Sequence, residues 1–354
     1  MEENKIISDE NLIKFFPKEN LENMAQLFST GSFQELLNKY FYINSNQNNN
    51  KKEFNIELFE KILLEDEFSQ QIILTLVLFC LLKSKEEPKE IQIILEKYNY
   101  PIDDMIFPLN FLIIKFYIKS NNIQKAIDNI NKLITKYEEY NMNIAEKKLD
   151  IKNILTIETF HQKFIYFDNL FNYLFNMNNL EAKIKKLYFE LKSCFYQINC
   201  FSQGFYTILN LYQKFPEDIL IQFELAKDSV INSKPDVFKN ILEKMKKNKE
   251  EEKDDYIKGI YNNYILYSEA LSKIAYNKYA EAKDKFEEIL ELRKNEKDNN
   301  VILKNNIALM NIYKTNLEEG YNELNNIYQD KTNENKNEYI KATINNIRDK
   351  FNIK

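Results

Sequence analysis

A pattern of bulky and small side chains, repeated in units of 34 residues, most limits how this chain can fold. In such a unit, bulky residues favour positions 4, 7, 11, 24 and 27, small residues favour positions 8 and 20, and proline favours position 32. Bulky residues three and four apart lie on one face of a helix, so the unit predicts two helices. The small residues let these helices approach closely, and the proline ends the second one.

The clearest unit begins at Lys185. Seven of its eight diagnostic positions carry the expected residue type, and only Lys192 at position 8 does not. The seven are Tyr188, Leu191, Phe195, Gly204, Ile208, Leu211 and Pro216. These positions define the tetratricopeptide pattern. The sequence therefore predicts an all-α fold, a tetratricopeptide-repeat (TPR-like) α-solenoid of antiparallel helix pairs.

Five candidate units follow this pattern, with the first helix of the unit near 263, predicted at about 256–276, out of register with the consensus. They lie near 107–140, 185–218, 219–252, 263–296 and 301–334. The small residues that mark four of them at position 8 or 20 are Ala126, Ala226, Ala282, Ala308 and Gly320, besides Gly204 in the clearest unit. In the unit at 219–252, Phe238 replaces the small residue at position 20, so we expect that unit to be degenerate.

A helical insert at 141–180 separates the first two units. Five phenylalanines with spacings of 4, 3, 4 and 4 define one face of it: Phe160, Phe164, Phe167, Phe171 and Phe175. A stripe at this spacing favours a helix that faces a core, and a partner-binding stripe is the alternative.

The N-terminal part has a different organisation. Residues 1–43 are predicted to form a short helical module, and the polar stretch 44–53, NSNQNNNKKE, is predicted to be a linker because it can bury almost no apolar surface. The solenoid then extends over 54–354, with helices at about 68–84 and 106–120. The charged run from Lys246 to Asp255 is predicted to be a solvated turn between helices.

Composition excludes several classes of function. With 49 basic and 54 acidic residues and a net charge of −5, the chain lacks the basic excess that nucleic-acid binding needs. The three cysteines are odd in number and widely spaced, which indicates reduced thiols. The most apolar run, Ile72 to Leu82, is shorter than the roughly 20 residues that span a bilayer. We therefore expect a soluble cytosolic protein that does not insert into membranes.

No motif for catalysis is evident. His161 is the single histidine, and no nucleophile motif accompanies it. The four glycines are isolated, so they cannot form a phosphate-binding loop. Cys194 and Cys200 have no second pair of ligands that would complete a zinc site. The sequence thus predicts no enzyme activity, no cofactor, no metal and no catalytic residue.

Protein binding is the remaining expectation, because a stack of helix pairs presents a groove along the first helix of each pair. In the clearest unit, this side carries Phe189, Lys192, Ser193 and Tyr196, which are the predicted contact residues. The positions that would grip the C-terminal carboxylate of a peptide do not carry the required lysine and asparagine, so that mode of binding is disfavoured.

Four blocks of sequence carry a resemblance to a known family. They are FPLNFLIIKFYIKSNNIQKAIDNINKL at 107–133, KKLYFELKSCFYQINCFSQGFYTILNLYQKFPE at 185–217, NKYAEAKDKFEEIL at 277–290 and NNIALMNIYKTNLEEGYNELNNIYQ at 305–329. In order and spacing, and in the position of the insert, they resemble the trafficking protein particle (TRAPP) complex subunit 12 family of tetratricopeptide-repeat proteins.

The resemblance implies a peripheral adaptor in a multisubunit vesicle tether. That complex activates a Rab-type GTPase through its small core subunits, and it serves endoplasmic-reticulum-to-Golgi traffic and autophagy. The expected partners are other subunits, such as subunit 11, and the expected location is the cytoplasm at ER–Golgi membranes, reached through the complex. A TPR scaffold of an unrelated ciliary or organellar assembly is the alternative.

Overall fold

The computed structural model describes most of the chain. The described residues are 18–44, 52–55, 58, 61, 67–84, 107–146, 180–293, 300–314, 316–329 and 337–351. The chain divides into two compact units, an N-terminal unit of residues 1–199 and a C-terminal unit of residues 200–354. This division lies far from the polar stretch at 44–53, whose role as a linker stays a prediction.

Helices that pack against their neighbours in sequence make up most of the described N-terminal unit. They are α1 (Lys18–Ser29), α2 (Phe33–Tyr40), α3 (Glu67–Lys83), α4 (Phe107–Lys119), α5 (Ile123–Glu146) and α6 (Leu180–Gln197). Each of these helices contacts the next one. The helices predicted at about 68–84 and 106–120 are confirmed as α3 and α4. The Phe face of the insert and His161 lie outside the described residues.

A short antiparallel ladder interrupts the helices, which the all-α prediction did not include. Strand β1 (Tyr42–Asn44) pairs with β2 (Lys52–Phe54), and Tyr42 lies opposite Phe54. Tyr, Ile and Phe favour strands, and these residues stand at the two ends of the polar stretch. Those ends of the predicted linker are therefore paired with each other, and β1 also contacts α2.

The C-terminal unit continues the same arrangement. Its described helices are α7 (Phe201–Lys214), α8 (Ile219–Ile231), α9 (Pro235–Glu251), α10 (Asp255–Ala275), α11 (Tyr279–Leu292), α12 (Val301–Tyr313), α13 (Leu317–Gln329) and α14 (Asn337–Phe351). Each contacts the next, and α8 also contacts α10. Sequential packing of this kind is consistent with an α-solenoid.

One type of turn joins the two helices of several pairs. Asn121, Ser233 and Asn277 have φ angles of 58°, 53° and 58°, and Gly31 has 75°. Each ends a helix in the left-handed conformation. The N–H of the following residue then bonds to the carbonyl oxygen five residues earlier, for example from Lys278 to Lys273 at 2.8 Å. These bonds satisfy carbonyl groups that the helix end would otherwise leave without partners.

These turns share one phase with the predicted units. The left-handed residue is the fifteenth of its unit in three cases, since 107 to 121, 219 to 233 and 263 to 277 are each a step of 14. Asn199, with φ 58°, stands at the same place in the unit that begins at 185. The positions of the turns therefore follow the phase that was read from bulky and small residues.

Buried small residues lie at the contacts between paired helices. Ala282 is fully buried among Leu266, Phe286 and Ile307, which come from α10, α11 and α12. Ala308 on α12 is fully buried in a second cluster. That second cluster includes three isoleucines of α14, a helix that the repeat pattern did not predict: Ile340, Ile344 and Ile347. Helix α14 thus covers the apolar side of the last pair.

The prediction of a turn from Lys246 to Asp255 is wrong for its first part. Helix α9 continues to Glu251, and only residues 252–254 connect it to α10. Lysine and glutamate are good helix formers, and Lys247 lies 3.6 Å from Glu251 one turn later. Met245, fully buried, anchors this part of the helix. A high density of charge therefore marks the solvated side of a helix here.

Candidate functional site

The four predicted contact residues lie on α6 and differ in how accessible they are. Ser193 is exposed, whereas Phe189 and Tyr196 are half-buried. Lys192 is only 8% exposed, and its Nζ lies 5.4 Å from the centre of the Tyr196 ring. Lys192 therefore offers little surface to a partner. The contact role of this group of residues stays a prediction.

An ion pair joins α6 to α4 next to these residues. The Nζ of Lys115 donates to both carboxylate oxygens of Glu190 at 2.6 Å, and Glu190 is 8% exposed. The Nζ of Lys186 lies 3.9 Å from the same carboxylate. Both lysines also lie over the Phe111 ring, 5.5 and 5.4 Å from its centre. Helices α4 and α6, which are the first helices of two predicted pairs, thus contact each other through charged and aromatic groups.

Aromatic rings dominate the corresponding contact in the C-terminal unit. Phe223 of α8 stacks on Tyr264 of α10 with ring centres 4.4 Å apart. Tyr267 meets the Phe223 ring edge-on at 5.6 Å and the Phe286 ring at 5.3 Å. Asn306 of α12 donates a hydrogen bond to the Tyr267 hydroxyl at 3.0 Å. These contacts link α8, α10, α11 and α12 and fix the direction of each ring.

Little net charge surrounds this aromatic group. Lys227 pairs with Glu224 at 2.6 Å and lies over the Phe223 ring. Burial raises the pKa of Tyr264, and the nearby carboxylates of Glu224 and Asp218 add to this effect against the opposing charge of Arg293. The hydroxyl therefore stays protonated at neutral pH. These side chains are suited to packing and hydrogen bonding.

A cleft of about 270 Å³ lies where the degenerate unit departs from the pattern. The C-terminal ends of α8 and α10 and the start of α9 surround it, with Ser233, Phe238, Ser272 and Tyr276 among its lining residues. Phe238 stands in place of the small residue at position 20 and is half-buried here. Serine hydroxyl groups line the cleft, together with the side chains of Lys234 and Tyr276.

The two buried cysteines, Cys80 and Cys194, have raised pKa values. Burial raises the pKa of Cys80 far above its usual range. Burial and the Glu190 carboxylate, opposed by Lys115, raise the pKa of Cys194 to about 11. A protonated thiol is a poor nucleophile. Among the described residues, no group of three or more His, Cys, Asp or Glu side chains could hold a metal ion.

Sequence reasoning missed Lys115 and Glu190, which are 75 residues apart. Their pairing depends on which helices meet, and a local pattern does not show this. The sequence did contain one local sign of a shared face on α4. Phe111, Lys115 and Lys119 recur every four residues and therefore lie along one side of that helix.

Two further findings bear on function. In the part of the chain that the structure describes, no helix combines the length and the apolar character that crossing a membrane requires. No protein-family model matches the chain, and a search of curated proteins finds no match. The family therefore stays a prediction from the resemblance.

Proposed function

We propose that this chain is a non-enzymatic scaffold that holds other proteins on the first helices of a TPR-type α-solenoid. The observation that carries the proposal is the common phase of the helix pairs. The turns at Asn121, Ser233 and Asn277 stand at the same place in three predicted units, and each joins two helices that pack together. A series of such pairs offers a surface on which other proteins can dock, since each pair contributes one helix to a continuous face.

Close approach at small residues supports the TPR type of packing. In the last pair, Gly320 of α13 is buried against Ala308 of α12, and these are positions 20 and 8 of their unit. The side chains along the first helices support a binding role. In the C-terminal unit, Leu220 is 43% exposed at the start of α8 and Ile302 is 48% exposed at the start of α12.

The proposed assembly is a TRAPP-type vesicle tether, in which this chain is an adaptor for ER-to-Golgi traffic and autophagy. The order and spacing of the four blocks within 107–329 support this assignment. The chain would then reach ER–Golgi membranes through its complex and contact other large subunits such as subunit 11. Nucleotide exchange on the GTPase would be the task of the small core subunits.

Affinity purification of the tagged full chain from its own cells, with quantitative mass spectrometry, tests both levels of the proposal. Recovery of several tether subunits in constant ratios is the expected result. A different but equally constant set, such as ciliary subunits, would keep the scaffold and replace the tether. A chain that purifies alone, as a tagged control protein does, would contradict the scaffold itself.

The rival enzyme hypothesis depends on His161 and has its own test. We expect His161→Gln to leave both the recovered partners and the growth of the cells unchanged. A growth defect with an unchanged set of partners would favour a chemical role for this histidine.

A further inference from the structure

The surface between α4 and α6 carries an excess of positive charge. We call it the α4–α6 face and define it by Lys115, Lys119, Lys186, Glu190 and Phe189. On α4, Lys115 and Lys119 are four residues apart, and on α6, Lys186 and Glu190 are four residues apart, so each pair shares one side of its helix. Three lysines stand here with one carboxylate, in a chain whose net charge is −5.

Glu190 is already committed to Lys115. Both of its oxygens accept hydrogen bonds from the Lys115 Nζ at 2.6 Å, and its side chain is only 10% exposed. A carboxylate has about four lone-pair sites, so Glu190 also attracts Lys186 one turn away on α6. Lys186, at 3.9 Å, is beyond hydrogen-bond distance from this carboxylate.

Within the described structure, Lys186 shares Glu190 with Lys115 as a loose ion pair, and Lys119 forms no ion pair with a carboxylate. Lys186 lies over the Phe111 ring, and its side chain is 41% exposed. Lys119 is exposed, and its Nζ donates to the main-chain oxygens of Leu82 and Ser84 at 3.1 and 3.5 Å. The single Glu190 carboxylate balances the charge of only one of the three lysines, and the ring face and the carbonyl groups add no full negative charge.

Next to this charge lie groups suited to a protein contact. Ser193 is exposed one turn beyond Glu190, and Phe189 is half-buried beside it. Positive groups that border a partly apolar patch complement a segment in which acidic and apolar residues alternate. The excess of positive charge on this face thus favours a partner segment with negative charge.

We propose that the α4–α6 face docks an acidic segment of a partner protein, whose carboxylates pair with Lys186 and Lys119 while an apolar side chain packs on Phe189. This inference rests on the proposed scaffold function and adds to it the chemistry of the partner. Lys115 stays paired with Glu190 and holds the two helices in place.

Zero-length cross-linking of the purified complex tests the proposal directly. A carbodiimide joins a lysine amine to a carboxylate only where the two are in contact. We expect cross-linked peptides that connect Lys186 or Lys119 to aspartate or glutamate of a co-purified protein. Cross-links to partners only from other lysines would overturn the docking face while leaving the scaffold intact. If no protein co-purifies, both proposals fail together.

A charge-removal variant gives the second measurement. We expect Lys119→Gln/Lys186→Gln to bind the partner identified by cross-linking roughly five- to tenfold more weakly, with a smaller dependence on salt. Glutamine keeps a donor for the carbonyl groups that Lys119 contacts. The matched control is Lys239→Gln/Lys247→Gln, because these lysines of α9 have side chains 75% and 71% exposed and make only loose pairs along their own helix. Equal binding by both variants would contradict the proposal.

Two controls distinguish the proposed contact from a loss of fold and from a lipid partner. A melting temperature of the double variant equal to that of the wild-type chain shows that a loss of binding is not a loss of fold. Flotation with vesicles of phosphatidylcholine and phosphatidylserine tests a lipid partner instead. Binding to these vesicles that the double variant loses, without any cross-link to a protein at Lys186 or Lys119, would assign the face to a membrane surface and overturn the proposal.

Discussion

The carbonyl oxygen of Ala308 lies against the Cα of Gly320 so closely that a β-carbon on Gly320 would stand 2.5 Å from it. The same β-carbon would be 2.9 Å from the main-chain nitrogen of Ile312. Main-chain atoms inside a helix cannot move aside as a flexible side chain can. Glycine is therefore required at this position because α12 and α13 approach through it, and not because of its own backbone conformation.

Replacing this glycine should be costly for stability. We expect Gly320→Ala to destabilise the chain by about 1–3 kcal/mol, since the contact forces the two helices apart. Chemical denaturation followed by circular dichroism measures the change. Gly259→Ala is the matched control, because nothing lies within 4 Å of a β-carbon there. That variant should be stabilised by about 0.5–1 kcal/mol, since alanine is the better helix former. The same loss for both variants would contradict the packing of α12 on α13.

The recurring turn makes a second prediction. Asn277 has a φ angle of 58°, which a side chain with a β-carbon tolerates poorly. We expect Asn277→Gly to keep or raise the stability, whereas Asn277→Ala should lower it by about 1 kcal/mol. The difference between their melting temperatures is the measurement. An alanine variant at least as stable as the glycine variant would show that the turn does not have this conformation.

Lys115 and Glu190 should be coupled. We expect Lys115→Met alone to destabilise by about 1–3 kcal/mol, because it leaves a largely buried carboxylate without its donor. Lys115→Met/Glu190→Leu should recover most of that loss, since no charge is then left without a partner. A double-mutant cycle measures the coupling. If the stability losses of the two single variants add up to the loss of the double variant, Lys115 and Glu190 are not coupled. That result would contradict the contact between α4 and α6.

Acid should weaken the C-terminal unit through Glu269. Burial alone would raise the pKa of this carboxyl, but Lys246 and Lys285 lie 2.8 and 3.3 Å from it and lower its pKa below the usual 4.5. A lowered pKa in the folded chain gives stability that is present above the unfolded value and is lost as the pH falls through the folded value.

The measurement is therefore made at two pH values. We expect Glu269→Gln to lower the free energy of unfolding at pH about 7 and to have a smaller effect at pH about 3, because the wild-type carboxylate loses its charge as the pH falls toward its lowered pKa. Glu250→Gln is the control, since Glu250 is exposed on α9. A loss from Glu269→Gln that is equal at both pH values would mean that packing, and not charge, explains the contribution of this residue.

The sequence predicted the phase of the helix pairs because the signals for it are local. Ala126, Ala282 and Ala308 are spaced from bulky residues by three or four positions, and all three are fully buried. Spacing within a helix determines which side is buried, so these residues could be identified without knowledge of the partner helix. The places of the left-handed residues can then be predicted, because a turn must connect the two helices of each pair.

Features that depend on distant contacts or on weak local patterns were not predicted. The burial of Lys192 follows from its position on the inner side of α6, where the repeat favours a small residue. The hairpin that turns at Gly31 carries Leu36, fully buried, where the pairs that turn at Asn121 and Asn277 have alanine, so the pattern did not identify it. Helix α14 shows Ile340, Ile344 and Ile347 at helical spacing, but it stands outside the predicted units.

The size of the native particle shows whether this chain works as a scaffold. We expect the chain, released gently from its own cells and sedimented through a gradient, to travel with other proteins in a particle far heavier than the 42.6 kDa of its sequence. Gentle dissociation should then return it to the size of the free chain. Sedimentation at the size of the free chain under every gentle condition would contradict a protein whose work is to hold others.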